Sequence, residues 1–203
     1  MKALWVADRA SCGDEGFEKL LSAFAGSPGF AVELREKDLS DADYLAQARR
    51  ARKALGSGVP LWVNRRFDVA LASCASGVHL PADGLPVSRV KANTPRGFSV
   101  GVSTHSPEEA ARAIEEGADV VIVGPIFDTP GKRAFGPPLS PAALDRLPPL
   151  SEHGAAVYAI GGISRENADE IAGRKDRVSG VAAIRLFQDS ADPRAEVERI
   201  ARL

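Results

Sequence analysis

Two segments of this sequence carry residue types suited to binding a phosphate group. Residues 122–139, IVGPIFDTPGKRAFGPPL, pass from an apolar stretch into a Gly/Pro-rich loop that holds Thr129 and Lys132. Residues 158–163, YAIGGI, end a second apolar stretch on a pair of glycines. Glycines between a strand and a helix let backbone N–H groups approach an oxyanion, and the helix N-terminus adds partial positive charge. The pattern predicts a pocket for a phosphorylated small molecule.

Further polar and cationic side chains follow other apolar stretches of the chain. In a barrel of parallel strands, the carboxyl ends of the strands meet at one rim, and function collects there. The residues that this rule brings together are Arg9, Arg35, Lys37, Asn64, Arg65, Ser103, His105, Thr129, Lys132, Gly161, Gly162 and Arg185. Such a cationic mouth, on a chain of net charge -1, suits an anion with more than one phosphate group. His79 lies inside an apolar stretch and is expected to be buried.

The elements that must position these residues are eight short apolar runs, rich in Val, Ile and Ala. The runs are residues 3–6, 30–34, 61–63, 78–80, 98–102, 120–123, 156–160 and 181–184. Strict alternation of such runs with helical patterns predicts an α/β fold, namely a single (β/α)8 TIM barrel that takes up residues 1–203 as one domain. The alternative is an open doubly wound sheet, but no GxGxxG sequence follows the first run.

Helix signals fill the segments between the apolar runs. Ser40 is suited to cap a helix over residues 41–55, and Ser106 opens the SPEE sequence of a helix that closes at Gly117. Further helices are predicted over residues 15–25, 67–75, 87–91, 141–147, 165–173 and 193–203.

Composition excludes several classes of function. The chain has 26 Lys and Arg residues against 27 Asp and Glu residues, so it lacks the basic character of a nucleic-acid-binding protein. Cys12 and Cys74 stand alone, which argues against zinc and disulfides and suits a reducing cytoplasm. No apolar run approaches the ~20 residues of a membrane span, and the N-terminus is charged too early for a signal peptide. We therefore expect a cytoplasmic protein with no nucleic-acid or membrane partner.

Four segments together resemble the thiamine phosphate synthase/TenI family. They are LREKD (34–38), VNRRFDVALASCASGVHLP (63–81), GVSTHSPEEAARAIEEGADVVIVGPIFDTPGKRAFGPPL (101–139) and AIGGISRENADEI (159–171). The match covers most of the chain in the right order. The resemblance implies a (β/α)8 barrel and a transferase that joins a pyrimidine methyl diphosphate to a thiazole phosphate. Pyrophosphate is released in that reaction with the help of Mg²⁺.

The resemblance also implies roles for the diphosphate half of the site. Arg35, Lys37 and Asn64 would hold the diphosphate. Ser103 and Lys132 would stabilise the departing pyrophosphate, and departure leaves a pyrimidine cation, so the rate depends on neutralising the leaving group. We take Ser103, Lys132, Arg35 and Lys37 as the candidate catalytic residues.

The thiazole half of the site follows from the same resemblance. Thr129 and the backbone of Gly161 and Gly162 would hold the thiazole phosphate. The family commonly has a Ser-containing turn after the last strand, whereas this chain reads AAIRLF, so Arg185 is expected to reach the phosphate. His105, at the end of the fifth run, is a further candidate for binding substrate.

Departures from the family pattern affect the expected metal and the expected base. Arg65 stands where synthases usually carry Asp, and Gly84 stands where a second Asp usually follows the fourth strand, with Asp83 one residue early. We therefore expect no protein ligand to a metal and no other cofactor; Mg²⁺ would bind only through substrate phosphates. The usual histidine of a TenI-type thiazole tautomerase falls at Pro125.

Three hypotheses remain open at this point. The first is a synthase with little or no dependence on Mg²⁺, and the second is a tautomerase, an isomerase that would need Asp128 or His105 as its base. The third is a protein that binds the thiazole phosphate, or regulates through it, without turnover. The sequence also leaves a homo-oligomer open.

Overall fold

A computed structural model describes residues 1–203, except for the side chains of Pro130, Ala134 and Phe135. Eight parallel strands close into a barrel in sequence order, with the last strand paired to the first. The strands are β1 (Lys2–Ala7), β2 (Phe30–Leu34), β3 (Leu61–Asn64), β4 (Gly77–Leu80), β5 (Ser99–Thr104), β6 (Val120–Val123), β7 (Ala156–Ile160) and β8 (Gly180–Ala183). The predicted TIM barrel is confirmed.

Helices and short 3-10 segments connect the strands on the outside. They are α1 (Arg9–Phe24), α2 (Asp41–Leu55), α3 (Phe67–Ala72), α4 (Val87–Lys91), α5 (Pro107–Glu115), α6 (Ala168–Ala172), α7 (Arg185–Gln188) and α8 (Pro193–Arg202), with 3-10 turns at Pro130–Phe135, Pro141–Arg146 and Leu150–Glu152. No helix in the described part of the chain has the length and apolar character that crossing a membrane requires.

The predicted N-caps are confirmed. The Ser40 side chain accepts a hydrogen bond from the Asp43 N–H at the start of α2, and Ser106 accepts one from the Glu109 N–H at the start of α5. Both bonds satisfy an N–H group that the first turn of a helix leaves without a backbone partner. These caps fix where two connecting helices begin, directly after the loops that carry site residues.

Four helix predictions differ from the structure in type or by three residues or more, and one of them is the helix predicted over residues 67–75, which ends at Ala72. Helix α1 begins at Arg9 and bends at Gly13, whose φ of 71 is not helical, whereas the prediction began at residue 15. Residues 141–146 form 3-10 turns, and they end before Leu147 because that residue precedes a proline and such residues avoid helical backbone angles. Helix α6 begins only at Ala168, because Asn167 bonds the Ser164 N–H through its side chain and so competes with helix formation.

The barrel interior and the layer under the helices form two apolar clusters. Successive residues of a strand point to opposite faces, so each strand supplies both layers. The interior cluster consists of Leu4, Val6, Ala31, Trp62, Val120, Ile122, Tyr158 and Ala182. Towards the carboxyl ends of β2, β3 and β4, buried polar residues are found instead: Glu33, Asn64 and His79. This change marks the floor of a polar mouth.

Candidate active site

All the residues predicted for the site lie at or just past the carboxyl ends of the strands, on one rim. Arg35 and Lys37 follow β2, Asn64 ends β3 and Arg65 follows it, and Ser103 and His105 lie at the end of β5. Thr129 and Lys132 belong to the loop after β6, Gly161 and Gly162 follow β7, and Arg185 begins α7 directly after β8.

The floor of the mouth contains two hydrogen-bonded polar pairs. Asn64 Nδ2 donates to Glu33 Oε1 at 2.9 Å, and His79 Nε2 lies 2.9 Å from Ser103 Oγ. Glu33 and His79 are only 3% and 2% exposed. Buried polar groups are costly unless they are paired, so these pairs orient Asn64 and Ser103. Glu33 was not predicted; its one signal is a single acid in the otherwise apolar strand FAVEL.

His79 is the buried histidine that the sequence predicted. Burial lowers the pKa of His79 below its ordinary value; Glu33 opposes this change and Arg35 adds to it. The ring has room because β5 carries Gly101 beside it, where a Cβ would lie 2.6 Å from His79 Nδ1. The neutral imidazole of His79 therefore holds the Ser103 hydroxyl through a hydrogen bond at the floor of the mouth.

We expect the pKa of His79 to make stability depend on pH. The unfolded chain takes up a proton near pH 6.5, whereas the folded state with its lowered pKa does not, so acidification through that range favours unfolding. The free energy of unfolding should fall by up to about 1.4 kcal/mol per pH unit below about pH 6.5. Urea titrations of wild type and His79→Asn between about pH 8 and about pH 5 would measure it. Equal slopes for both proteins would contradict this account.

The loop after β6 packs closely on the end of β7. Ile126 N–H donates to Ile160 O at 2.8 Å and Phe127 N–H donates to Gly161 O at 2.9 Å. Gly161 has a φ of 100, and a Cβ there would lie 2.5 Å from the Pro125 Cα. The glycine pair thus has a packing role in addition to the phosphate role that the sequence predicts.

The helix terminus that was expected after the glycine pair is small in the structure. The Ser164 N–H donates to Asn167 Oδ1 at 2.8 Å, and Asn167 Nδ2 donates to Gly162 O at 2.8 Å. Because α6 has only five residues, its dipole contributes little. Backbone amides of the glycine pair, rather than a helix N-terminus, remain the candidate donors on this side.

Side chains within the loop after β6 also bond to one another. Thr129 Oγ1 donates to Phe127 O at 3.2 Å. Arg133 Nε donates to Asp128 Oδ1 at 3.0 Å, and these hydrogen bonds lower the pKa of Asp128. Asp128 is therefore a weak base. Lys132 belongs to the same 3-10 segment, and its side chain is exposed.

His105 connects the end of β5 to the loop after β6. Its Nδ1 lies 2.8 Å from Gly124 O, and its backbone N–H donates to Glu109 Oε2 at 2.7 Å. A carbonyl oxygen can only accept, so Nδ1 carries the proton of the neutral ring and Nε2 carries the lone pair. This hydrogen bond fixes the ring on the carbonyl group that precedes Pro125.

The mouth between β3 and β4 differs from a magnesium site. Arg65 Nη2 lies 3.4 Å from Asp83 Oδ1, so the acid in this loop faces a guanidinium. A Cβ on Gly84 would lie 2.9 Å from Pro81 O, which leaves no room for a carboxylate there. No group of three or more His, Cys, Asp or Glu that could hold a metal occurs among the described residues. Mg²⁺ is usually held by one or two carboxylates together with substrate phosphates. Because Asp83 is the one acid of this loop and lies beside Arg65, these residues do not fit a metal ion bound by the protein itself.

Arg9 does not contribute a spare charge to the mouth, contrary to the prediction. Its guanidinium pairs with Asp14 at 2.8 Å, Glu36 at 3.3 Å and Asp38 at 3.8 Å. Glu36 has only 2% of its side chain exposed; burial raises its pKa and Arg9 lowers it. Arg9 therefore neutralises acids near α1 and β2.

Two arginines after β7 and β8 differ in how they are held. Arg165 pairs with Glu196 of α8, and Glu196 is 1% exposed and also accepts from Arg199 Nε at 3.2 Å. This contact anchors the loop after the glycine pair to the C-terminal helix. Arg185 is exposed, and no partner for its side chain occurs among the described residues. The structure thus places Arg185 on the rim without showing a contact that fixes it.

Comparison with known proteins assigns the family. Residues 3–187 match the family model described as thiamine monophosphate synthase. A putative thiamine-phosphate synthase of Geobacter sulfurreducens is 33% identical over 98% of this chain and 92% of its own length. The putative thiamine-phosphate synthase 2 of Aquifex aeolicus is 39% identical over 90% and 95%.

A solved structure agrees with these relatives. The thiamine phosphate pyrophosphorylase from Pyrococcus furiosus superposes with a TM-score of 0.82 at 27% identity, over 99% of this chain and 94% of that one. The relatives are named as synthases, which are transferases, so the predicted enzyme class is confirmed. The chain belongs to the thiamine monophosphate synthase family, as its motifs predicted.

Proposed function

We propose that this protein joins a pyrimidine methyl diphosphate to a thiazole phosphate, forming thiamine phosphate and releasing pyrophosphate. The observation that carries this proposal is the set of cations and donors on one rim, above a polar floor. Its catalytic members are Arg35, Lys37, Ser103 and Lys132. A leaving group with two phosphates needs several cations, and an exposed rim offers them where substrate enters.

The chemistry needs charge stabilisation more than proton transfer. The C–O bond between the pyrimidine methylene and the diphosphate breaks, and pyrophosphate keeps the electron pair. The lone pair of the thiazole nitrogen forms the new C–N bond, and that nitrogen becomes quaternary without losing a proton. The enzyme must therefore stabilise the negative charge that grows on pyrophosphate, the task of preorganised donors. The position of Pro125, which cannot act as a base, is no obstacle to this reaction.

Ser103 and Asn64 are the two donors that the floor orients. For the Ser103 hydroxyl to donate to the leaving group, the His79 ring must donate its Nε2 proton to Ser103 Oγ. Asn64 gives one amide proton to Glu33 and keeps its second for the diphosphate. Arg35 and Lys37 add positive charge from the adjoining end of β2.

The thiazole phosphate is assigned to the opposite side of the mouth. Thr129, the backbone of Gly161 and Gly162, and Arg185 lie at the ends of β6, β7 and β8. Binding there would direct the thiazole nitrogen towards the methylene carbon held by the other half of the site. Productive alignment of two bound substrates is itself a large part of catalysis.

No protein metal site enters this mechanism. Mg²⁺, where it is present, is proposed to arrive with the substrate phosphates, and no other cofactor is proposed. Cys12 and Cys74 are free thiols, which suits the proposed cytoplasmic activity. A homo-oligomer is compatible with the proposal but not required by it.

The test is a direct assay. Purified protein is incubated with both substrates, once with MgCl₂ and once with excess EDTA, and thiamine phosphate is measured by chromatography. We expect product in both conditions. Absence of product above the level of a heat-inactivated sample in both conditions would refute the proposal, whereas product with MgCl₂ alone would keep the function and exclude a metal-independent route. Binding of thiazole phosphate without product would instead support a non-catalytic, regulatory protein.

His105 supports a second candidate, a thiazole tautomerase. Its ring is held on the oxygen of Gly124, the residue before Pro125, and in the neutral ring Nε2 is then the basic nitrogen. A base at this position could move a proton on a bound thiazole ring. Proton NMR of the thiazole carboxylate phosphate would test it, with His105→Asn as the comparison. Tautomerisation that is no faster with the wild type than without protein would exclude this candidate.

A further inference from the structure

Arg65 stands out because it combines a strained backbone with an exposed cation at the mouth. Its φ is 62, a left-handed conformation that is uncommon for a long side chain, and such residues cluster at functional sites. The conformation is held on both sides of the residue. Arg65 N–H donates to His79 O at 2.8 Å, and Arg66 N–H donates to Asn64 O at 2.7 Å.

The left-handed backbone of Arg65 directs its guanidinium towards the loop after β4. Asn64, the preceding residue, has its side chain in the barrel interior on Glu33, and the next residue of an extended strand would point away from it. The guanidinium nevertheless reaches Asp83, in the loop after β4, at 3.4 Å. It therefore lies over the carboxyl ends of β3 and β4, the side of the mouth assigned to the diphosphate.

The contact with Asp83 leaves Arg65 available for a ligand. The Arg65 side chain is 63% exposed and that of Asp83 is 82% exposed, and an ion pair between such exposed groups is weak and screened. Two oxygens of one phosphate group of the diphosphate offer the guanidinium a stronger, bidentate partner. Arg66, the next residue, differs because both Asp41 and Asp68 already engage it.

We infer that Arg65 is the cation that neutralises the diphosphate in this enzyme, in the place where a protein-bound magnesium ion would otherwise act. The inference rests on the proposed function and on the misfit of the local residues to Mg²⁺. Arg35 and Lys37, which follow β2, and Arg65, which follows β3, then form a cationic set at the ends of two paired strands. It follows that pyrophosphate binds to this protein without a divalent ion.

Isothermal calorimetry with inorganic pyrophosphate tests the inference, in excess EDTA and in excess MgCl₂. Wild-type affinity should differ by less than about threefold between the two conditions. Arg65→Asn suits the left-handed backbone but removes the charge, and it should weaken binding in EDTA by about 10- to 100-fold. Arg65→Asp should lose at least as much in EDTA and regain part of it with MgCl₂. Arg65→Lys keeps the charge but loses the bidentate geometry, so it should weaken binding less than Arg65→Asn does.

A charge-matched control is Arg202→Asp, at the end of α8 and exposed, and it should change pyrophosphate affinity by less than about twofold. Unchanged affinity of Arg65→Asn in EDTA would overturn the inference, as would wild-type binding that needs MgCl₂. The proposed function is judged separately. Thiamine phosphate formation with unchanged pyrophosphate binding in Arg65→Asn leaves the function and removes the inference. If calorimetry gives the expected affinities but the assay detects no thiamine phosphate, the inference about pyrophosphate binding stands and the proposed function falls.

Discussion

Replacement of Gly161 by alanine is expected to destabilise the protein by about 3 kcal/mol and to displace the loop after β6. The new Cβ would lie 2.5 Å from both Cα and Cβ of Pro125, so backbone would have to move. The φ of 100 adds strain for any residue with a side chain. Movement there would break the bond from the Phe127 N–H to Gly161 O.

Urea unfolding of Gly161→Ala and calorimetry with thiazole phosphate measure the two effects. Gly131→Ala is the matched control, because Gly131 lies in the loop after β6 and a Cβ there meets no described atom within 4 Å. The control should change the free energy of unfolding by less than about 0.5 kcal/mol. A Gly161→Ala protein as stable as wild type would contradict the described packing. Loss of ligand binding at unchanged stability would instead favour a direct role of the Gly161 amide.

Much of the fold could be predicted because the local signals agree with the final structure. The apolar run 120–123 coincides with β6, and 156–160 coincides with β7. Both runs are buried on two faces, so they stay apolar throughout and end where polar loops begin. The segment 87–91 also matches α4. The predictions failed where one side chain competes with the backbone, as at Asn167, or where a proline follows, as at Leu147.

The site could be predicted only in outline. The rule that function collects at the carboxyl ends of barrel strands predicted that Arg35, Ser103 and Lys132 lie on one rim, but it predicted no distance between them. Contacts between side chains far apart in sequence could not be predicted from any local sequence pattern. The pairing of Glu33 with Asn64 spans 31 positions, and the pairing of Arg165 with Glu196 has the same span. Neither pair follows a local periodicity, because the two residues of each pair come together only when the barrel is folded.

Lys132→Ala is expected to lower kcat by about 10²- to 10³-fold, the scale of removing one preorganised group that stabilises a developing anion. The charge on pyrophosphate grows as the C–O bond breaks, so the cation contributes more in the transition state than in the substrate complex. The KM for thiazole phosphate should change little if Lys132 acts on the leaving group alone, although Thr129 of the same loop is assigned to that substrate. Steady-state kinetics with each substrate varied in turn would measure both effects.

The matched control for Lys132 is its neighbour on the same 3-10 segment. Arg133 carries the same charge but donates to Asp128 at 3.0 Å, so Arg133→Ala should change kcat by less than about threefold if position, rather than loop charge, matters. A loss shared equally by both variants would show that the loop acts only through its overall charge. An exposed lysine such as Lys132 is screened in the free enzyme, and the two substrates are expected to exclude water around it. Its contribution should therefore appear in kcat rather than in the binding of pyrophosphate alone.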